Sequence, residues 1–333
     1  MTLARGMTAE PDSMLFRAKL ANVRPLVNML KTISFRPRTR CVISPDGLVF
    51  TVDESQCLVA QAYLRSEIFT AFSYDLQLAE HYRNQEQESF EDEVSQGGEQ
   101  SDTTQVVLSL DNLIECLTLF YGPSSAGNAQ STALSTSSLY TPGNPGDLRG
   151  ATTAIIGFKG PGADLELMLE ERGTISECRL STFVPEPPVD LQFSHYPTTQ
   201  QLIIRSEWLR DAFNELDSTS ESVYISIAST EPHFRISTIG ESGSTDMTYS
   251  NSERILDSFF CNEDQENKYK LSLILKCKQA LAMSEKTKIR INQRGFLSLQ
   301  FMIPTAADVS FVNFVFAPLV STDEPAAGAT ARA

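Results

Sequence analysis

Apolar residues recur at helical spacing in two distant segments of the chain. In the second half, a helix that opens at Ser206 is expected to turn its apolar residues inward (Trp208, Leu209, Ala212, Phe213 and Leu216). Near the N-terminus, the i, i+3, i+4, i+7 pattern predicts a helix over about 22–34 (Val23, Leu26, Val27, Leu30 and Ile33). Asn22 suits the N-cap of that helix, and Pro25 is tolerated in its first turn.

The two halves of the chain repeat one order of elements. A Leu-Ser-Leu tripeptide stands at 108–110 and again at 271–273, each time entering a further helix. The halves come into register when the 21 residues of the polar tract 84–104 are removed, which predicts two copies of one domain. After the first helix of each half, apolar runs on both sides of Pro-Asp-Gly predict a hairpin over 41–52, and alternating or continuous apolar residues predict strands over 57–64, 222–228 and 233–239.

Polar and proline-rich tracts set the expected domain limits. Tracts 84–104 and 122–150 have the low complexity of disordered loop insertions, and the proline-rich stretch 184–198 predicts an extended linker. We therefore expect a first domain over 14–183, a second over 199–320 and a tail over 321–333.

The charge of the chain is strongly segregated. The 42 acidic and 27 basic residues give a net charge of −15, which by itself argues against a nucleic-acid partner. Yet residues 17–40 contain seven bases and no acid, and residues 268–294 contain eight bases and one acid. Both stretches fall around predicted helices. An acidic body with two basic stretches is typical of a protein that accepts nucleic acid on one face only.

Motifs for catalysis or metal binding are scarce. Neither a phosphate-binding loop nor a dinucleotide-binding glycine motif is present, and the six cysteines lack zinc-ligand spacing. The cysteines are interpreted as buried thiols in a reducing compartment. The sequence has no apolar run of about 18 residues and no signal peptide, so an intracellular, soluble protein is expected.

One pair of carboxylates leaves a catalytic hypothesis open. Asp164 and Glu166 form a D-x-E pattern similar to part of the acidic sets that hold two metal ions in exonucleases. Strand alternation would place both carboxylates on one face and Leu165, Leu167 and Leu169 on the other. The same pattern is typical of an ordinary half-buried strand.

The repeated order of elements resembles the sliding clamps of the proliferating cell nuclear antigen (PCNA) type. The similarity is carried by FRAKL at 16–20, by GLVFTVDESQCLVAQAYL at 47–64 and by Phe316-Ala317-Pro318. Within that family, three segments are similar to the Rad-one subunit of the nine-one-one DNA-damage checkpoint clamp. They are SEWLRDAFNELD at 206–217, FRISTIG at 234–240 and RGFLSLQFMI at 294–303.

The resemblance implies an α+β clamp fold of two similar domains, each with antiparallel sheets outside and two helices inside. It implies a nuclear, non-enzymatic subunit of a three-chain ring around double-stranded DNA, without a cofactor. The partners implied are Rad-nine and Hus-one type subunits, an ATP-driven clamp loader and repair enzymes. Two other functions stay open: a 3′–5′ exonuclease, and a homotrimeric replication clamp.

The resemblance also implies roles for individual residues. A phosphate-facing role in the DNA channel carries over to five bases (Arg24, Lys31, Arg210, Lys276 and Lys278). A place in the pocket where PCNA partners bind carries over to four residues (Val52, Cys57, Val315 and Pro318). The second helix, 111–121, departs from the pattern, because it contains Glu115 and no base.

Overall fold

The computed structural model describes residues 14–88, 102–121, 151–241, 243–305 and 309–319. The chain divides into two compact units, with the division between Pro188 and Val189. This point lies inside the stretch 184–198 for which the sequence predicts a linker. Two short segments are grouped with the opposite half of the sequence: Asp53–Ala60 belongs to the second unit and Pro304–Ser310 to the first.

The first unit is built on nine strands and three helices, with a tenth short strand at its end. The helices are α1 (Arg24–Thr32), α2 (Leu76–Glu88) and α3 (Leu110–Leu117). The strands are β1 (Phe16–Leu20), β2 (Arg38–Ser44), β3 (Gly47–Glu54), β4 (Leu58–Arg65), β5 (Ala71–Tyr74), β6 (Thr104–Ser109), β7 (Thr153–Phe158), β8 (Leu165–Glu171), β9 (Thr174–Leu180) and β10 (Thr182–Phe183).

The second unit has nine strands and three short helices. The helices are α4 (Ser206–Glu215), α5 (Leu271–Ile274) and α6 (Lys278–Met283), the last two joined by a 3-10 turn. The strands are β11 (Thr198–Arg205), β12 (Ser222–Ile227), β13 (Phe234–Gly240), β14 (Gly243–Tyr249), β15 (Leu256–Cys261), β16 (Gln265–Lys270), β17 (Lys286–Asn292), β18 (Leu297–Pro304) and β19 (Val309–Phe316).

The strand orders confirm the repeat predicted from the sequence. In the first unit, one set of strands runs β5-β1-β7-β8-β9 and the other runs β6-β2-β3-β4. In the second unit, the corresponding orders are β15-β11-β17-β18-β19 and β16-β12-β13-β14. The paired strands are antiparallel, as in β1 with β7 and β11 with β17. Apart from α2 and β10 in the first unit, each unit therefore follows the same path through a strand, a helix, five strands, a helical segment and three strands.

Each core is formed where the apolar faces of the sheets meet the helices. On β1 the buried residues alternate with exposed bases, so that Phe16 and Ala18 face the core while Arg17 and Lys19 face solvent. Helix α1 buries the stripe predicted from its spacing, including Leu26 and Leu30. Burial of such side chains contributes about 1.5–3 kcal/mol each.

Helix α1 begins two residues later than predicted, and the local bonds explain why. The N-cap is Val23 and not the predicted Asn22, although Asn22 Oδ1 accepts a hydrogen bond from Arg24 N at 2.9 Å. Pro25 lies in the first turn, where its missing N–H has no helical partner to lose. The helix ends at Thr32, and Thr32 Oγ1 donates to Met29 O at 2.6 Å.

Helix α2 was not predicted and corrects the limits of the first insertion. It extends through Glu88, so the first residues of tract 84–104 are helical and not part of a disordered loop. Asp75 Oδ1 accepts a hydrogen bond from Leu78 N at 3.0 Å and starts the helix. Tyr82 then attaches it to the turn after β7 by donating to Lys159 O at 3.2 Å. Most of the tract, the whole of 122–150 and the tail over 321–333 lie outside the described residues.

The inward position predicted for Trp208 is wrong. The helix that opens at Ser206 is present as α4, and Leu209, Ala212 and Phe213 are buried as predicted. Trp208 is 38% exposed, and only its backbone is held, by a 3.2 Å hydrogen bond from Tyr249 Oη to its carbonyl oxygen. Trp208 lies at the border of the apolar stripe, so its ring reaches solvent.

Candidate nucleic-acid interface

Two helical segments lie side by side in each unit, α1 with α3 and α4 with α6. Helix α1 has the most basic exposed face. Arg24 is exposed and Lys31 is half-buried, and their spacing of seven residues places them on one side, opposite the buried stripe. No acidic residue occurs in α1. This helix can therefore attract phosphate groups without competition from its own side chains.

The neighbouring helix α3 has an acidic surface. Asp111 and Glu115 are exposed, and Leu110, Leu113 and Leu117 are buried. The Ser109 hydroxyl caps the helix by accepting a hydrogen bond from Asn112 N at 3.2 Å. The lack of a base in 111–121, which departs from the PCNA pattern, therefore leaves the solvent-facing side of this helix acidic.

Helix α4 presents more acid than base. Arg210, predicted to face phosphate, is half-buried, whereas three exposed acids share its helix (Glu207, Asp211 and Glu215). Burial, and next the negative charge of Asp211, raise the pKa of Tyr249. Arg210 therefore contributes its charge in a locally negative environment.

Lys276 and Lys278, to which the resemblance gives the same role, have different surroundings in the segment α5–α6. Lys278 is exposed on α6. Lys276 lies in the 3-10 turn, and its Nζ is 2.6 Å from Glu54 Oε2. Because Glu54 neutralises this ammonium group, Lys276 stabilises the contact with the end of β3 and offers little attraction to a phosphate.

Most other bases of the two basic stretches do not lie on helices. Four of them lie against an aromatic ring or a carboxylate. Arg38 lies 4.8 Å from the centre of the Phe183 ring, Arg290 lies 5.2 Å from the centre of the Phe193 ring, and Arg294 lies 4.7 Å from the centre of the Tyr196 ring. Lys286 Nζ lies 2.5 Å from Asp257 Oδ2. Both stretches do contain helices, α1 in the first and α5 and α6 in the second, but most of their bases lie on strands or in turns. A sum over consecutive residues counts both faces of a strand, and so it overstates the charge on any one face.

The predicted partner-pocket residues are mostly covered. Cys57, Val315 and Pro318 belong to the second unit, where Ala317 N donates to Cys57 O at 2.8 Å and Leu319 N donates to Lys268 O at 2.7 Å. Val315 is buried, and Cys57 and Pro318 are half-buried. Val52 is buried in the first unit. Only Cys57 and Pro318 therefore offer partly exposed surface to a partner.

Comparison with known proteins identifies the family. Residues 15–303 match the family described as "Repair protein Rad1/Rec1/Rad17". The chain belongs to this family. It is 32% identical to the human cell cycle checkpoint protein RAD1 over 318 residues, covering 95% of this chain and 96% of the human protein. It is 28% identical to the DNA damage checkpoint control protein rad1 of Schizosaccharomyces pombe, covering 93% and 89% of the two chains.

Membership of the Rad1 family confirms the fold class predicted from the sequence, an α+β clamp fold of the PCNA type. The mainly antiparallel strand orders and the few short helices agree with it. Within the described ranges, no helix has the length and apolar character that crossing a membrane requires.

The Rad1 family also includes a protein whose name bears on the carboxylate pair. The chain is 22% identical to the DNA repair exonuclease REC1 of Mycosarcoma maydis, covering 90% of each chain. Here Asp164 is exposed just before β8, and Glu166 lies on the same face with Lys159 Nζ 3.4 Å from Glu166 Oε1. The predicted alternation is confirmed, because Leu165, Leu167 and Leu169 are buried. Among the described residues, no three acidic, cysteine or histidine side chains converge as metal ligands do.

The cysteines are less uniformly buried than predicted. Cys41 and Cys277 are fully buried, and burial raises the pKa of both thiols. The other four are half-buried. Burial, and next the adjacent Cys178 thiol, raise the pKa of Cys116 to about 11. A thiol with such a pKa is protonated at neutral pH and is a poor nucleophile.

Proposed function

We propose that this Rad1-family chain is a non-enzymatic subunit of a heterotrimeric, ring-shaped clamp that encircles DNA at sites of damage. In this role it serves as a platform for checkpoint signalling and repair enzymes in the nucleus. The observation that carries the proposal is the clamp unit itself. It occurs twice in the chain, and 95% of the chain matches a checkpoint protein. Two domains per chain supply one third of a six-domain ring, and we place these domains at 14–183 and 199–320.

The exposed bases on the helices suit binding that holds DNA without reading its sequence. Arg24, Lys31 and Lys278 would contact phosphates, which are the same at every base pair. Arg210 and Lys276 would contribute less, because the first lies among acids and the second is paired with Glu54. A small number of screened contacts gives weak attraction at any one position and so permits sliding.

Two free sheet edges are suited to binding the neighbouring subunits. In the described part of the chain, six strands stand at the end of a strand order with a neighbour on one side only (β5, β9, β10, β14, β15 and β16), and β9 and β14 are the longest of them. Each has seven residues, and an edge of this length can pair with a strand from another chain. We assign these edges to the Rad-nine and Hus-one type partners, and we expect an ATP-driven loader to open the assembled ring.

Sedimentation equilibrium over a wide concentration range tests the proposal. The purified chain is expected to remain a monomer, and to form a complex of one copy each when both partner subunits are added. A stable homotrimer of the chain alone would contradict the proposal and favour the homotrimeric replication clamp.

Replacing Ile175 with Asp is expected to weaken binding to the partner at β9 by about 10- to 100-fold. Ile175 is 60% exposed on this edge, and covering an isoleucine side chain contributes roughly 1.5–3 kcal/mol. Surface plasmon resonance with each partner subunit measures the change. The matched control is Ile239→Asp on β13, which is 66% exposed but not on an edge strand. Equal losses in both variants would contradict the assignment of the edge.

A 3′–5′ exonuclease is the second candidate, favoured by the name of the REC1 relative and by Asp164 and Glu166. We expect no digestion of a 3′-end-labelled strand in Mg²⁺ or Mn²⁺, because Lys159 lies beside the Glu166 carboxylate and no further acid completes a two-metal site in the described residues. Metal-dependent digestion that disappears in the Asp164→Ala/Glu166→Ala variant would establish this activity. Digestion that persists in the variant would exclude this pair as its site.

A further inference from the structure

The segment Phe183–Pro188 is an exposed, proline-rich strip on the first unit. Its sequence is FVPEPP, and after β10 it has no hydrogen-bonded secondary structure. Proline fixes φ near −65°, and a residue before proline is restricted to extended conformations. Because three of the six residues are proline and three precede one, the sequence favours a polyproline II helix, which has three residues per turn.

Two arginines of β2 hold one side of this strip. The Arg38 guanidinium lies 4.8 Å from the centre of the Phe183 ring. Arg40 donates from Nη2 to Glu186 O, and its Nη1 is fixed by a 3.1 Å hydrogen bond to Gln105 Oε1. Phe183 and Glu186 are three residues apart, which is one turn of a polyproline II helix. The strip is therefore held against β2 at two points, the Phe183 ring and the Glu186 carbonyl.

The other four residues of the strip are exposed, except for Pro185, which is half-buried. Val184 is 90% exposed, Pro187 and Pro188 are exposed, and Pro185 is half-buried. With a period of three, Val184 and Pro187 share a second edge, and Pro185 and Pro188 share the third. In such a helix, two apolar-proline pairs, Val184-Pro185 and Pro187-Pro188, repeat at a spacing of three residues.

We infer that Phe183–Pro188 is a docking site for a polyproline-binding domain of the SH3 type. Such domains accept two apolar-proline dipeptides, spaced by three residues, in aromatic-lined grooves, while the residue between the pairs stays outside. In this strip the residue between the pairs is Glu186, the one whose carbonyl Arg40 already holds. Anchoring lowers the entropy lost on binding. The exposed Arg38 beside the strip favours a partner whose groove is bordered by acidic residues.

Binding of the full-length chain to an array of purified SH3 domains tests the inference, with WW and EVH1 domains on the same array. We expect at least one SH3 domain with an acidic groove border to bind, and the Pro185→Ala/Pro188→Ala variant to bind it at least ten-fold more weakly. The matched control is Glu186→Gln, which keeps the backbone contact and is expected to bind like the unchanged chain. Thermal unfolding and assembly with the partner subunits verify that both variants are folded.

Three results would overturn the inference. The first is that no SH3 domain on the array binds the folded full-length chain. The second is that the double proline variant binds as tightly as the unchanged chain. The third is that only WW or EVH1 domains bind, which would assign the strip to another class of partner. None of these results depends on whether the chain forms a ring around DNA.

Discussion

Reversing the charge of Arg24, Lys31 and Lys278 to Glu in one variant is expected to reduce binding of the assembled clamp to duplex DNA at least ten-fold at about 0.1 M salt. Arg24 and Lys278 are exposed, Lys31 is half-buried, and neither α1 nor α6 contains an acid. Each lost phosphate contact also lowers the slope of log K against log salt by about one. The slope should therefore fall by about three.

The matched control for this variant reverses three bases that lie elsewhere. Arg17 and Lys19 are exposed on β1, and Arg254 is exposed in the loop before β15. Arg17→Glu/Lys19→Glu/Arg254→Glu changes the net charge by the same amount, so any general effect of acidity appears in both variants. Fluorescence anisotropy with a short open-ended duplex, onto which the assembled ring can thread without a loader, measures both variants at several salt concentrations. Equal losses in the two variants would show that net charge, and not the helical surface, governs binding.

The other two bases predicted to face DNA should have smaller effects. Lys276→Gln removes a charge that Glu54 already neutralises, so the main expected change is in stability and not in DNA binding. Arg210 shares α4 with three exposed acids, which reduce the local potential that a phosphate would meet. The sequence gives all five bases the same predicted role. From their surroundings in the structure, we expect three of them to affect DNA binding more than the other two.

The architecture could be predicted because it depends on local periodicity. The apolar spacing around Leu26 and Leu30 defines α1, and the turn around Asp46 defines the first hairpin. The Leu-Ser-Leu repeat locates the second helical segment of each unit. These signals lie within a few residues of one another, so a single sequence contains them in full.

The features that were missed depend on contacts between distant residues or on the exact border of a helix face. The ion pair of Lys276 with Glu54 joins residues far apart in the sequence, and no local sequence pattern predicts it. Helix α2 is largely polar, and over 76–84, where its side chains are described, only Ala79 is buried, so its attachment through Tyr82 gives no periodic signal. Trp208 is adjacent to Leu209 in sequence but lies one step outside the buried stripe.

Gly47→Ala is expected to destabilise the chain by roughly 3 kcal/mol or more, the largest stability effect we anticipate from so small a change. Gly47 begins β3 at the first hairpin with a φ of 140°, a conformation that side chains rarely adopt. An added Cβ would lie 2.1 Å from Leu64 O and 3.0 Å from Arg65 Cα. Both are backbone atoms of β4, so relief requires the strands themselves to separate.

Gly162→Ala is the control that isolates this steric conflict from backbone strain. Gly162 has a φ of 82°, but nothing lies within 4 Å of the position its Cβ would take. We therefore expect it to lose only about 1–2 kcal/mol, the usual strain of a left-handed residue. Urea denaturation of the monomer gives both free energies of unfolding. If the two variants were equally destabilised, the approach of Gly47 to β4 would contribute nothing, and φ alone would account for the requirement for glycine.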